Sequence, residues 1–69
     1  MTFGERLKQL REERGMDRKD LALELGRLSY ITVASYENDI TTPSLRVIGK
    51  ICRLFDITPE ELFKGVELL

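Results

Sequence analysis

Histidine and tryptophan are absent from this 69-residue chain, cysteine occurs once and proline twice. With Cys52 alone, no disulfide can form within the chain. With no histidine and one cysteine, a structural zinc site has no credible ligand set. The same absences remove Ser-His and Cys-His nucleophile pairs, and no glycine-rich phosphate loop occurs. The sequence therefore predicts no catalytic, cofactor-binding or metal-binding residue and no small-molecule substrate. No apolar run exceeds three residues. That predicts neither a signal peptide nor a membrane span, hence a cytoplasmic protein. No stretch alternates apolar and polar residues as a half-buried strand does.

What is present is ordinary for a globular fold: 42% hydrophobic and 33% charged residues. The length predicts one domain over 1–69. So short a chain buries only a modest core, so helices must pack on helices, with dimerisation as reinforcement. The net charge is −1 and the isoelectric point about 5.4. Those values argue against a uniformly basic nucleic-acid coat and leave room for a local basic face.

Five helices follow from spacing and caps. The first runs over 2–14, with Thr2 and Glu5 at capping-box spacing. Phe3, Leu7 and Leu10 make its apolar stripe, and Gly15 suits a left-handed stop. Asp17 caps a second helix over 18–25, with Asp20 adding charge in its first turn. Leu21, Ala22 and Leu25 recur at helical spacing, and Gly26 ends the segment. Ser29 caps a third helix over 30–38, with Leu28, Val33 and Tyr36 predicted in the core. Thr42-Pro43 reads as a cap followed by proline at the first helical position. The fourth helix then buries Leu45, Ile48, Ile51, Cys52 and Phe55. Thr58-Pro59-Glu60-Glu61 opens a short fifth helix that carries Leu62 and Phe63 inward and ends near Gly65. Buried in this way, Cys52 is a small core residue rather than a redox sensor. The whole is an all-α, compact five-helix bundle.

Residues 17–38 organise the rest. Two short helices, a glycine stop, a turn and a capped second segment are the marks of a helix-turn-helix. Its second helix is the third of the chain, and such a helix fits the major groove of DNA.

The chain resembles the Cro/C1-type (xenobiotic-response-element) helix-turn-helix family of phage and bacterial repressors, whose fold is lambda-repressor-like. The resemblance rests on FGERLKQLREERG at 3–15, DLALELG at 20–26, ITVASYEN at 31–38, TPSL at 42–45 and IGKICRLFDITPEEL at 48–62. It implies a sequence-specific DNA-binding transcriptional regulator, a repressor binding a palindromic operator as a homodimer. It implies the third helix in the major groove, with half-sites about one helical turn apart. The nucleoid would be its working place.

By the same resemblance, Ser29, Tyr30, Ile31, Thr32 and Ser35 face base edges. Tyr30 can donate or accept a hydrogen bond, and Ile31 offers apolar contact to a thymine methyl. Arg18 stands where relatives carry a phosphate-binding Gln, and a guanidinium clamps phosphate bidentately. Lys19 adds to it, and Asn38 marks the backbone track after the reading helix. Arg11 is implied to pair with Glu37 and so buttress that helix. Exposed Lys and Arg also serve as a plain solvated face.

Two departures from the family matter. Arg27 lengthens the turn by one residue, and Asp39-Ile40-Thr41 replaces a glycine-containing basic loop. The second predicts weaker DNA binding than in a basic-loop relative. It also supports an alternative, a protein-interaction module on the same fold, such as an antirepressor. Leu62, Val66, Leu68 and Leu69 are the predicted dimer surface, on the fifth helix and C-terminal tail.

Overall fold

Thr2 opens the first helix, α1 (Phe3–Glu13), by a reciprocal cap. Its hydroxyl accepts from the Glu5 amide at 3.1 Å, and the Glu5 carboxylate accepts from the Thr2 amide at 2.8 Å. The same device opens α2 (Arg18–Glu24), with Asp17 and Asp20 as the pair. The structure is a computed structural model and describes residues 1–67. Ser29 caps α3 (Tyr30–Glu37) by accepting from the Ile31 amide at 3.1 Å. Two further helices, α4 (Leu45–Phe55) and α5 (Pro59–Leu62), complete the bundle, and no strand occurs among the described residues. The first three helices end within a residue of their expected places, whereas α5 ends at Leu62, three residues short of Gly65.

The start of α4 differs from expectation. Ser44, not Thr42, is the cap, accepting from the Val47 amide at 3.3 Å. Pro43 therefore precedes the cap instead of entering the helix. Both Thr42 and Ser44 are good capping types, so local chemistry alone does not choose between them. Leu45 becomes the first helical residue and is 90% exposed, not buried. It stands off the end of the stripe that Ile51, Cys52 and Phe55 bury and Ile48 half-buries.

The core joins all five helices. Leu7, Leu21, Leu25, Val33, Ile51 and Leu62 are its fully buried large side chains, with Leu10, Tyr36 and Phe55 beside them. Burying each such side chain stabilises by about 1.5–3 kcal/mol relative to exposure. Leu62 is thus core and cannot serve as dimer surface, while Val66 is half-buried. Leu68 and Leu69, also expected on that surface, lie outside the described residues. Leu28 is half-buried rather than fully enclosed.

Arginines tie helix ends to the frame. Arg6 donates to the carbonyls of Leu62 (3.1 Å) and Glu61 (2.8 Å) at the end of α5. Arg14 donates to Phe55 O at 3.2 Å and lies over the Phe55 ring at 5.4 Å, closing α4. Phe3 and Phe63 meet at 5.6 Å between centroids, so α1 and the end of α5 share an aromatic contact.

Thr58 and Glu61 repeat the reciprocal cap at α5. The Thr58 amide holds the Glu61 carboxyl below its ordinary value, with the Thr58 hydroxyl adding to the effect. A folded-state value below the unfolded one stabilises at neutral pH, and that gain is lost as pH falls through the carboxylate range. Glu61→Ala should therefore melt below wild type at pH 7, with the gap closing toward pH 3. Melting curves across that range check it, and a constant gap would count against the cap.

Candidate nucleic-acid interface

The geometry of α3 follows from what it buries. Val33 and Tyr36 face the core, and α3 packs against both α1 and α2. Ile31, opposite those two side chains on the helix, is consequently turned outward and 63% exposed, and Tyr30, at the first position of α3, is 52% exposed. Thr32 and Ser35 are half-buried, and Ser29 and Asn38 are exposed at the two ends. Ile31, Ser35 and Asn38 fall at i, i+4 and i+7, one stripe along the outer side of the helix.

Three ionic side chains meet at the end of α3. Glu37 is fully buried as a side chain. Arg11 donates from Nε to its Oε2 at 2.6 Å and from Nη2 to its Oε1 at 3.1 Å. Arg11 Nη1 donates to the Met16 carbonyl at 2.8 Å, which ties the α1–α2 connection to the same group. The hydrogen bond from Glu37 raises the Arg11 pKa above its already high ordinary value, against the opposing effect of burial. The pair implied by resemblance is therefore present. Its third member was not expected: Arg18 Nε donates to Glu37 Oε1 at 3.1 Å.

This contact changes how Arg18 is held without hiding it. One edge of its guanidinium is anchored, and the side chain is 37% exposed. Its two terminal nitrogens donate to no acceptor among the described residues, so they can meet an anion from outside. Lys19, the next residue, is exposed. It lines a cleft with Leu23, Leu28, Ser29 and Tyr30, so the start of α2 and the start of α3 share one surface. Lys19 and Tyr30 are thus brought together at the start of α3, whereas Arg18 reaches Glu37 at the other end of α3, next to the cap residue Asn38. Leu23 was missed from sequence. It lies off the α2 stripe, and only its 65% exposure beside Tyr30 marks it.

The lengthened turn has a local solution. Gly26 and Arg27 both take positive φ, 100° and 64°. The Gly26 amide donates to Leu23 O at 3.2 Å, as in a Schellman stop. The return bond to the third-last carbonyl is made one residue late, from the Leu28 amide to Ala22 O at 3.0 Å. Arg27 is the extra residue, exposed on the outside of the turn, and Ser29 still begins α3.

The loop after α3 is also resolved in physical terms. Asp39 takes a left-handed φ of 58°, and its Oδ1 accepts from the Gly4 amide at 2.9 Å. That amide is one of the free donors at the start of α1, where negative charge is favoured. The anion added to this loop is therefore engaged by α1. Ile40, in contrast, is 73% exposed.

Residues 7–62 match the Helix-turn-helix family. The chain belongs to it. The HTH-type transcriptional regulator DdrOP3 of Deinococcus deserti is 36% identical over 67 residues, 97% of this chain. The chain spans about half the length of that relative, 51%. The crystal structure of the restriction-modification controller protein C.AhdI from Aeromonas hydrophila superposes with a TM-score of 0.80 at 38% identity. That match covers 88% of this chain and 91% of the other. The five-helix all-α fold and the Cro/C1-type resemblance both agree with these matches.

Proposed function

We propose that this helix-turn-helix protein is a sequence-specific DNA-binding transcriptional regulator, acting as a repressor at a palindromic operator. In this reading a homodimer seats α3 of each copy in the major groove, on half-sites about one turn apart. Ser29, Tyr30, Ile31, Thr32 and Ser35 meet the groove. Arg18, Lys19 and Asn38 meet the phosphates. The observation that carries the reading is the outward stripe of α3, held by buried Val33, Tyr36 and Glu37, beside an Arg18 anchored on one edge and open on the other. The likeness to a named transcriptional regulator and to a named controller protein supports it. The nucleoid is the matching location.

A second reading, a protein-interaction module, draws on exposed Leu23 and Tyr30, which line one cleft, and on exposed Ile31, the next residue of α3. Selection of bound duplexes from a random pool, followed by mobility shifts across salt, separates the two. Arg18→Ala is expected to weaken binding to all duplexes alike and to reduce the salt slope by about 1. Tyr30→Ala is expected to change which duplex is preferred. No binding to any duplex at low salt would overturn the DNA reading, because non-specific electrostatic affinity appears there first.

A further inference from the structure

The solvent side of α4 carries a row of cations. Arg46, Lys50 and Arg53 fall at i, i+4 and i+7, so they share one side of the helix. The row spans about 10 Å at 1.5 Å per residue. Arg46 and Arg53 are exposed, and Lys50 is half-buried. Gly49 lies in the same row, and a Cβ there would meet nothing within 4 Å, so the middle of the row is open backbone. The row joins the turn between α2 and α3. Lys50 and Arg53 line a cleft with Glu24 and Gly26, and a Cβ on Gly26 would lie 2.9 Å from Lys50 Nζ. Arg27, the extra residue of that turn, is exposed beside it. None of these four cations forms an ion pair among the described residues, and Glu24 is the one acid among the residues lining the cleft. We propose that this face binds the phosphate backbone of duplex DNA flanking the operator, so that the duplex bends past the turn onto α4.

Charge, shape and continuity select DNA as the partner. Four unpaired cations occupy this face of a chain whose net charge is −1, so the positive charge is local. A row of Lys and Arg along a helix is the electrostatic footprint of a nucleic-acid backbone. The bare backbone at Gly49 lets such a rod come close between the cations. Arg27 stands two residues before Ser29, the cap of α3, so the face begins where the proposed groove contact begins. The molecule measures 28 × 25 × 23 Å, so the α4 row lies within about one turn of duplex, ~34 Å, from α3. Once α3 is seated, the flanking duplex is tethered to the same molecule and the second contact becomes intramolecular. An acidic protein has no such tether. The inference rests on the operator reading and extends it to phosphates that Arg18 and Lys19 do not reach.

The test uses the duplex selected from a random pool, either trimmed to the operator or extended by ~20 base pairs, about two turns, on each side. Wild type is compared with Arg46→Glu/Arg53→Glu. The control is Lys8→Glu/Lys64→Glu, the same change of net charge at two exposed lysines off this face. Wild type is expected to bind the extended duplex at least about tenfold more tightly than the trimmed one, with a salt slope steeper by about 2–3. Circular-permutation mobility shifts should show the bend. Arg46→Glu/Arg53→Glu is expected to lose both the gain and the bend and to match the control on the trimmed duplex. Its circular dichroism should be unchanged, because both replaced side chains are exposed. The control is expected to keep the gain. A wild type that binds both duplexes with one affinity and one slope overturns the proposal and leaves the operator reading standing. Equal loss of the gain in the two double variants overturns it as well, since net charge and not this face would set it. If the flanks add nothing while polyglutamate binds wild type and not Arg46→Glu/Arg53→Glu, the face belongs to an acidic protein and the proposal falls. A wild type that binds neither duplex at low salt removes the operator reading and this inference with it.

Discussion

Glu37→Ala is expected to lower the unfolding free energy by about 3–5 kcal/mol, the cost of breaking a buried ion pair from one side. At roughly 4–8 °C of Tm per kcal/mol for a domain of this size, the melting point should fall by at least about 12 °C. The reason lies in what is left behind. Arg11 is only 8% exposed and would keep just the Met16 carbonyl. Arg18 would face it across the vacated space with no carboxylate between them. Two like charges in a poorly solvated site repel more strongly than they would in water.

The comparison that gives this prediction its content is the double change Arg11→Met with Glu37→Leu. Replacing both partners by apolar groups removes the stranded charge, so it should cost much less than Glu37→Ala. Thermal and denaturant unfolding of the two variants check the order. Equal loss in both would mean that packing volume at the end of α3, not the charge, holds the helix. DNA binding adds a second readout. Glu37 anchors Arg18 on one side, so removing it should release the proposed phosphate clamp even in variants still folded at the assay temperature. Binding should then weaken on every duplex alike, because phosphate contacts carry no sequence information directly.

The buried half of this molecule was legible because burial repeats with the helical period. Leu7, Leu10, Leu21, Leu25, Val33, Ile51 and Phe55 lie where an apolar stripe places them. The caps at Thr2, Asp17, Ser29 and Thr58 were legible because capping is a contact between neighbours in sequence. Features that depend on distant segments were not legible. Ser44 and Thr42 compete as caps with similar local chemistry, and the structure selects Ser44. Leu45 continues an apolar spacing past the end of the surface that could cover it. Asp39 looked like a charge opposed to DNA, yet its partner is an amide 35 residues earlier. At the candidate interface, the stripe of exposed α3 residues followed from which positions are buried. The tie between Arg18 and Glu37 did not, since it joins different helices.

Gly4→Ala is the second large effect, and sequence offers no warning of it. Gly4 occupies the first turn of α1, where alanine has the higher helix propensity. A Cβ at this position would overlap the Glu37 carbonyl oxygen and lie 2.6 Å from the Tyr36 carbonyl oxygen. Both obstacles are backbone, so no rotamer change relieves the clash. The helices α1 and α3 must separate. Overpacking ordinarily costs about 1–3 kcal/mol, and a rigid backbone obstacle puts this variant at or above the top of that range. Separation would also stretch the Gly4–Asp39 bond and the Arg11–Glu37 pair, which bridge the same two segments. Gly4→Ala and Glu37→Ala should therefore combine to less than the sum of their separate effects, because each loosens what the other needs. Gly49→Ala is the control. Its Cβ meets nothing within 4 Å, in the middle of α4. That change should stabilise by about 0.5–1 kcal/mol, as alanine does over glycine inside a helix. Denaturant unfolding of the three variants decides the matter. Gly4→Ala unfolding like Gly49→Ala would show that the close approach of α1 to α3 is not what requires glycine there.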